Sequence, residues 1–296
     1  MYFCFNLSLT LYNKGVLVSF PFPYTLSALH ALFGTLGGAL LAQRGCFAPS
    51  RLTLGGTVVL MAFSVLYAIN IVVSNMSLQL VTVPFHQVVR AATPIFTIFF
   101  SGLLFGAPSS HSKKMSLIPV VAGVGLATFG DYYFSYAGFL LTLLGTVLAA
   151  LKTIFTNVLQ TTPAPRPARP ARPYFSNPLD LLFLLSPLAL VQCVLLAHFT
   201  GELGRVRAVE LSAGTVGALL LNGCIAFGLN VVSFSANRRV GALGMTVAAN
   251  VKQVLTIVCA VVIFNLTITT LNAVGILLTL VGGAWYAWIE LVEKQG

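Results

Sequence analysis

Apolar stretches of about twenty residues recur from one end of this chain to the other, and residues 95–105 and 181–197 are continuous examples. A backbone placed in hydrocarbon has to satisfy its own polar groups, which only helices and closed barrels do. A barrel would show alternating strands of about ten residues. The runs here do not alternate, so the sequence predicts an all-α polytopic membrane protein. Composition agrees: 57% of the 296 residues are hydrophobic and 7% are charged, against about 25% charged in soluble domains. A soluble chain this apolar would not stay in water.

Ten spans are predicted: 1–18, 22–43, 54–76, 80–106, 114–131, 134–159, 179–200, 211–236, 241–264 and 268–291. The first begins at Met1 and is barely one crossing long, which raises the prospect of a truncated N-terminus. One segment, 161–178, is a true linker. Its Pro-Ala-Pro-Arg-Pro-Ala-Arg-Pro-Ala-Arg-Pro run cannot be helical. It separates residues 1–160 from 179–296, within what reads as one transport domain.

The 16 Lys and Arg residues divide three ways. Ten fall on the side shared by both termini (Arg44, Arg51, Lys113, Lys114, Arg166, Arg169, Arg172, Arg238, Arg239, Lys294). Three (Lys14, Arg205, Arg207) fall on the other. The positive-inside rule therefore places both termini in the cytosol. The net charge of +10 is that bias, and no nucleic-acid partner is expected. The five cysteines are scattered without a CxxC pair, so no disulfide framework, metal site or cofactor is expected.

The remaining three cations, Arg90, Lys152 and Lys252, lie inside apolar spans. A charge there costs at least about 2.5–3.5 kcal/mol, and the six carboxylates read as loop or end positions. The missing counter-ion points to an anionic cargo. Helical spacing sets polar residues around these cations in stripes. The fourth span carries Thr82, His86, Arg90, Thr93, Thr97 and Ser101 on one face. The sixth carries Thr142, Gly145, Ala149, Lys152 and Thr156. The third carries Tyr67, Asn70, Ser74 and Ser77, and the eighth Asn222, Ala226, Asn230, Ser233 and Asn237. The first carries Tyr2, Asn6, Thr10 and Asn13. On the ninth, Lys252 shares a face with Ala249 and Thr256. A single Ser, Thr or Asn in such a stripe usually ties helices together, at about 0.6 kcal/mol per contact. Several stripes holding three cations predict a shared aqueous cavity. No HExxH, no GxSxG, no paired intramembrane carboxylates and no Cys/His cluster mark a catalytic centre.

An internal repeat is visible. Residues 94–106 resemble 253–265, with Thr97/Thr256, Ile98/Ile257 and Phe105/Phe264 coinciding at one offset of 159. This pairs the fourth span with the ninth. Two repeats of five spans must be inverted, since five is odd, and inverted repeats mark secondary transporters.

Leu11-Tyr-Asn-Lys-Gly-Val-Leu17 and Phe20-Pro-Phe-Pro-Tyr24 resemble the opening of the triose-phosphate and nucleotide-sugar translocator group, within the drug/metabolite transporter superfamily. Val73-Ser-Asn-Met-Ser-Leu-Gln79, then His86 to Pro94, and Ala248-Ala-Asn-Val-Lys-Gln-Val254 are similar to its third-to-fourth and ninth helices. The resemblance covers nearly the whole chain. It implies ten helices in two inverted five-helix repeats, a central cavity and antiport by alternating access. It also implies phosphate binding at Arg90, Lys252 and Gln253, where the plastid members have a lysine and a Lys-Arg pair. Gln253 departs from that pattern and removes one cation.

The sequence thus predicts an antiporter of organic phosphates in the Golgi or ER membrane, chiefly a nucleotide sugar exchanged for a nucleoside monophosphate. Its site residues are Lys252, Arg90, Lys152, Gln253, Thr93, His86, Tyr67, Ser74, Asn230 and Thr256. Its partners are a small phosphorylated anion and the bilayer, and a homodimer is an assembly this class allows. A sugar-phosphate/phosphate antiporter, a membrane enzyme acting on a phosphorylated lipid and a non-transporting scaffold are the competing readings.

Overall fold

The computed structural model describes residues 2–49, 54–106, 109–160, 178–209 and 211–295. Among them every regular element is a helix: α1 (Tyr2–Ser19), α2 (Pro23–Gln43), α3 (Leu54–Leu80), α4 (Val83–Arg90), α5 (Thr93–Phe105), α6 (His111–Phe129), α7 (Tyr136–Gln160), α8 (Pro178–Phe199), α9 (Glu202–Arg207), α10 (Ala213–Ile263) and α11 (Thr270–Gln295). Seven stretches are long and apolar enough to cross a membrane, with α4 and α5 counted as one, and 252–263 is a shorter apolar helix. The chain is an integral membrane protein. Its outer surface is accordingly apolar, with Leu103, Val262 and Leu277 each more than 60% exposed. The Pro/Arg-rich linker predicted at 161–178 lies outside the described residues, apart from Pro178.

Three spans differ from the sequence reading. The predicted fourth span is broken at Ala91–Ala92. Pro94 has no N–H to give the carbonyl of Arg90, so the α-helical bond at that step cannot form. The Thr93 hydroxyl donates to that carbonyl instead, at 2.5 Å. The eighth and ninth spans, expected as two helices, belong to one element, α10. That element cannot be straight. Asn222 hydrogen-bonds Asn13 of α1, and Ala260 packs in one cluster with Val16 and Leu17, a turn further along α1. A straight helix would hold Asn222 and Ala260 about 57 Å apart, so α10 folds back on itself between them.

The most extensive helix contacts are α6 with α11, α2 with α8, α1 with α10, and α3 with α7. Small residues let the first two pairs close. A Cβ added to Gly275 would collide with the Ala127 backbone, and one added to Gly34 would sit 2.6 Å from the Ser186 hydroxyl. Gly34 and Gly38, one turn apart, both face α8.

Several charged and polar groups serve this packing. Lys14, counted from sequence among the charges of the non-cytosolic side, stands inside α1, and its Nζ donates to the carbonyls of Leu78, Gln79 and Val81 at 2.7–3.3 Å. A cation there faces the negative end of the α3 dipole. Glu202 and Asp180, read as loop or end positions, are 1% and 0% exposed. Glu202 accepts from the backbone N–H groups of Tyr24 and Thr25 at the start of α2, at 3.3 and 2.6 Å. A buried chain of side chains joins four helices. Asn222 donates to Asn13 (2.7 Å), Asn13 to Asn75 (3.3 Å) and Asn75 to Ser27 (2.8 Å), while His30 meets Asn222. Asn13 and Asn222, expected to line the cavity, are thus spent on holding α1, α2, α3 and α10 together.

Candidate functional site

The break after α4 sets the site. It leaves Arg90 as the last residue of α4, where the helix dipole favours a cation. Around α4 the apolar residues point outward in three directions. Phe85 and Val89 pack with Phe139 and Val124, Val88 packs with Ala127, Ile257 and Ile276, and Val83 packs with Leu17 and Ala260. The face left over carries His86 and Arg90, one turn apart, and it looks toward α3. There Arg90 Nη1 donates to Ser74 Oγ at 2.8 Å.

The three intramembrane cations converge. Each is half-buried, and the charge of Arg90 acts on both Lys152 of α7 and Lys252 of α10. His86 lies in the combined field of Arg90, Lys252 and Lys14. Lys152 Nζ sits over the ring of Tyr67, 4.6 Å from its centroid. That contact gives the ammonium an electrostatic partner without neutralising it. Among the described residues the salt bridge formed is Lys113–Glu293, at 3.0 Å. It joins α6 to α11 away from this site, and no carboxylate among the described residues forms a salt bridge with Lys152 or Lys252.

The ten residues singled out from sequence divide clearly. Arg90, Lys152, Lys252, His86, Tyr67 and Ser74 are brought into one neighbourhood from α3, α4, α7 and α10. Gln253 is 9% exposed beside Lys252. Thr93 and Thr256 are used locally: the first donates to the Arg90 carbonyl and the second to the Lys252 carbonyl, at 2.8 Å. In both, the hydroxyl hydrogen is given to the helix backbone, which leaves the oxygen lone pairs as acceptors. Asn230 is half-buried on α10.

One residue of this neighbourhood was left off the site list. Asn70 stands one turn before Ser74 on the same face of α3, and its Nδ2 is buried without a hydrogen-bond partner among the described residues. Both ring nitrogens of His86 are in the same condition. Native interiors rarely leave such groups unsatisfied. Asn70 was already visible in the Tyr67–Asn70–Ser74 stripe, but nothing in the sequence separated it from an asparagine that binds another helix. No group of three or more His, Cys, Asp or Glu gathers among the described residues in a way that would hold a metal. The arrangement can neutralise an anion with fixed cations and offer it uncharged hydrogen-bond partners.

The model of the Triose-phosphate Transporter family matches residues 1–287. A probable sugar phosphate/phosphate translocator of Arabidopsis thaliana is 25% identical, covering 95% of this chain and 78% of its own length. The phosphoenolpyruvate/phosphate translocator 3, chloroplastic, of Oryza sativa subsp. japonica is 28% identical over 99% of this chain and 74% of its own. A GDP-mannose transporter of Arabidopsis thaliana is 25% identical, covering 98% and 84%. A crystal structure at 14% identity superposes with a TM-score of 0.64, covering 96% of this chain and 95% of the other, which shows the shared fold.

Proposed function

Since this chain belongs to the Triose-phosphate Transporter family, whose matched relatives are named as translocators and transporters rather than enzymes, we propose that it is an antiporter of organic phosphates. The cargo on this reading is a nucleotide sugar, exchanged for a nucleoside monophosphate across the Golgi or ER membrane, with both termini in the cytosol. One observation carries it: Arg90 reaches Ser74 and Lys152 sits over Tyr67 on one face of α3, beside buried groups of Asn70 and His86 that have no hydrogen-bond partner among the described residues. Lys252 and Arg90 hold phosphate charge, and the Arg90 guanidinium adds a fork suited to phosphoryl oxygens. Lys152 strengthens the field. Gln253, His86, Tyr67, Ser74 and Asn230 contact the sugar or base. Obligatory exchange follows if the empty cationic cavity resists reorientation while either anion neutralises it.

Ten crossings in two inverted five-helix repeats, with the 161–178 linker between the sixth and seventh crossings, are part of the same reading. The fold-back in α10 supports two crossings there, and α4 with α5 supports one broken crossing. Under an inverted five-helix repeat, α2 corresponds to α8 and α6 to α11, and these partners touch each other. The α1–α10 and α3–α7 contacts exchange with one another. The offset of 159 also recurs in detail. Thr97 and Thr256 donate to the carbonyls of Thr93 and Lys252. Gly106 and Asn265, at φ 62° and 46°, leave their helices in the left-handed conformation.

A sugar-phosphate/phosphate antiporter is the second reading, supported by the rice and Arabidopsis phosphate translocators among the relatives. Counterflow in proteoliposomes separates the two, using labelled UDP-sugars, GDP-mannose, sugar phosphates and inorganic phosphate on opposite sides. The first reading expects nucleotide sugars to exchange against nucleoside monophosphates. Exchange of sugar phosphates with inorganic phosphate alone would replace it with the second, and no exchange of any of these anions would end both.

A further inference from the structure

Asn70 and His86, each with buried unsatisfied groups, flank the Arg90–Ser74 contact from opposite directions. Helices α3 and α4 are joined through Val81 and Thr82, and the Arg90–Ser74 contact lies eight residues past that turn on one side and seven before it on the other. The two helices therefore run antiparallel. His86 precedes Arg90 by one turn and Asn70 precedes Ser74 by one turn. In antiparallel helices those offsets point opposite ways along the bundle axis, each about 6 Å. His86 lies on the turn side of the Arg90–Ser74 contact, toward Lys14. Asn70 lies on the other side, toward Tyr67 and Lys152.

Both are deeply buried, at 3% and 5% exposure, so bulk water does not serve them. An uncharged imidazole offers one N–H and one lone pair, and the Asn70 amide nitrogen offers two N–H donors. Resting on the reading of the cations as an anion site, we infer that His86 and Asn70 are two selectivity subsites about 12 Å apart, one on each side of the phosphoryl centre. Such a pair selects a cargo with hydrogen-bonding groups at both ends of its phosphates, as in a nucleoside diphosphate sugar. Bare phosphate reaches neither end, and a one-ended phosphate ester reaches one.

The inference predicts a crossed pattern. The purified chain, H86F and N70L are each titrated with UDP-glucose, UMP, glucose 1-phosphate and inorganic phosphate, and half-maximal thermal stabilisation is read. UDP-glucose should weaken about tenfold or more in each variant, because a site built for a hydrogen bond is left with a bare contact. UMP should weaken in one variant and glucose 1-phosphate in the other, while inorganic phosphate should stay within about twofold in both. H86Q, which keeps a donor and an acceptor, should restore most of the His86 effect. Equal weakening of all four probes, or no change with UDP-glucose, overturns the inference. If a variant does not fold, the unaltered protein still decides: UDP-glucose must stabilise it at lower concentration than glucose 1-phosphate or inorganic phosphate. Failure of every phosphorylated probe to stabilise the unaltered protein would instead refute the anion-site reading itself.

Discussion

Asn75 and Asn70 stand five residues apart on α3, and both are 5% exposed. Asn75 donates to Ser27 and accepts from Asn13, whereas the Asn70 amide nitrogen has no partner among the described residues. The first belongs to a chain of polar groups that runs from His30 through Asn222 and Asn13 to Asn75 and Ser27, so that both its ends lie on α2. The second belongs to the region of Arg90, His86, Lys152 and Lys252. The same residue types thus build two buried polar regions with opposite states of completion. A satisfied network fixes helices against one another. An incomplete one holds donors and acceptors in reserve, which has a cost that a ligand can offset.

Breaking each region should produce opposite symptoms. The largest effect is expected for Lys252→Ala: counterflow should fall about 100-fold, the scale of removing one partner of a buried charge contact. Its unliganded thermal midpoint should hold or rise, since a buried cation is gone. Transport of every tested anion at the parental rate would remove Lys252 from the site. Asn222→Leu should do the reverse. Chemical denaturation in detergent should show a loss of about 1–2 kcal/mol from the two contacts broken, while the surviving folded protein keeps its cargo affinity. A variant as stable as the parent would deny the network its role.

The two asparagines of α3 sharpen the comparison further. Asn75→Leu should cost about 1 kcal/mol, while Asn70→Leu should be neutral or stabilising by a similar amount. Equal losses would mean that Asn70 has a structural partner after all. The smallest effect belongs to Thr256→Val. Its hydroxyl serves its own helix, so stability should move by less than about 0.5 kcal/mol and counterflow should stay within twofold. A clear fall in transport would return Thr256 to the cargo site.

Much of the fold was legible because hydropathy, period and breakers are local. The apolar runs located the spans, and the charge-free interior made Arg90, Lys152 and Lys252 conspicuous. Pro94 was legible too, but the polar stripe from Thr82 to Ser101 keeps helical period across the break it causes and so hides it. The roles of Glu202 and Lys14 were not legible. Each is one charged residue near a predicted loop until a particular helix end, α2 or α3, is brought against it. The same holds for the stripes. Periodicity shows that Asn13, Asn70, Asn75 and Asn222 lie on defined faces, but a face has no meaning until its neighbour is known.

By itself, then, the sequence determined the solvent this chain folds in, the number of apolar runs it offers, and the presence of three cations that hydrocarbon alone cannot accommodate. Tertiary structure decided which polar groups find each other: Asn222 reaches Asn13 across 209 positions, and the Asn70 amide nitrogen finds no partner among the described residues. The reason is physical. Burial in lipid follows from transfer energies summed along a single helix, whereas hydrogen-bond satisfaction depends on the few ångströms separating atoms of different helices, which packing alone sets.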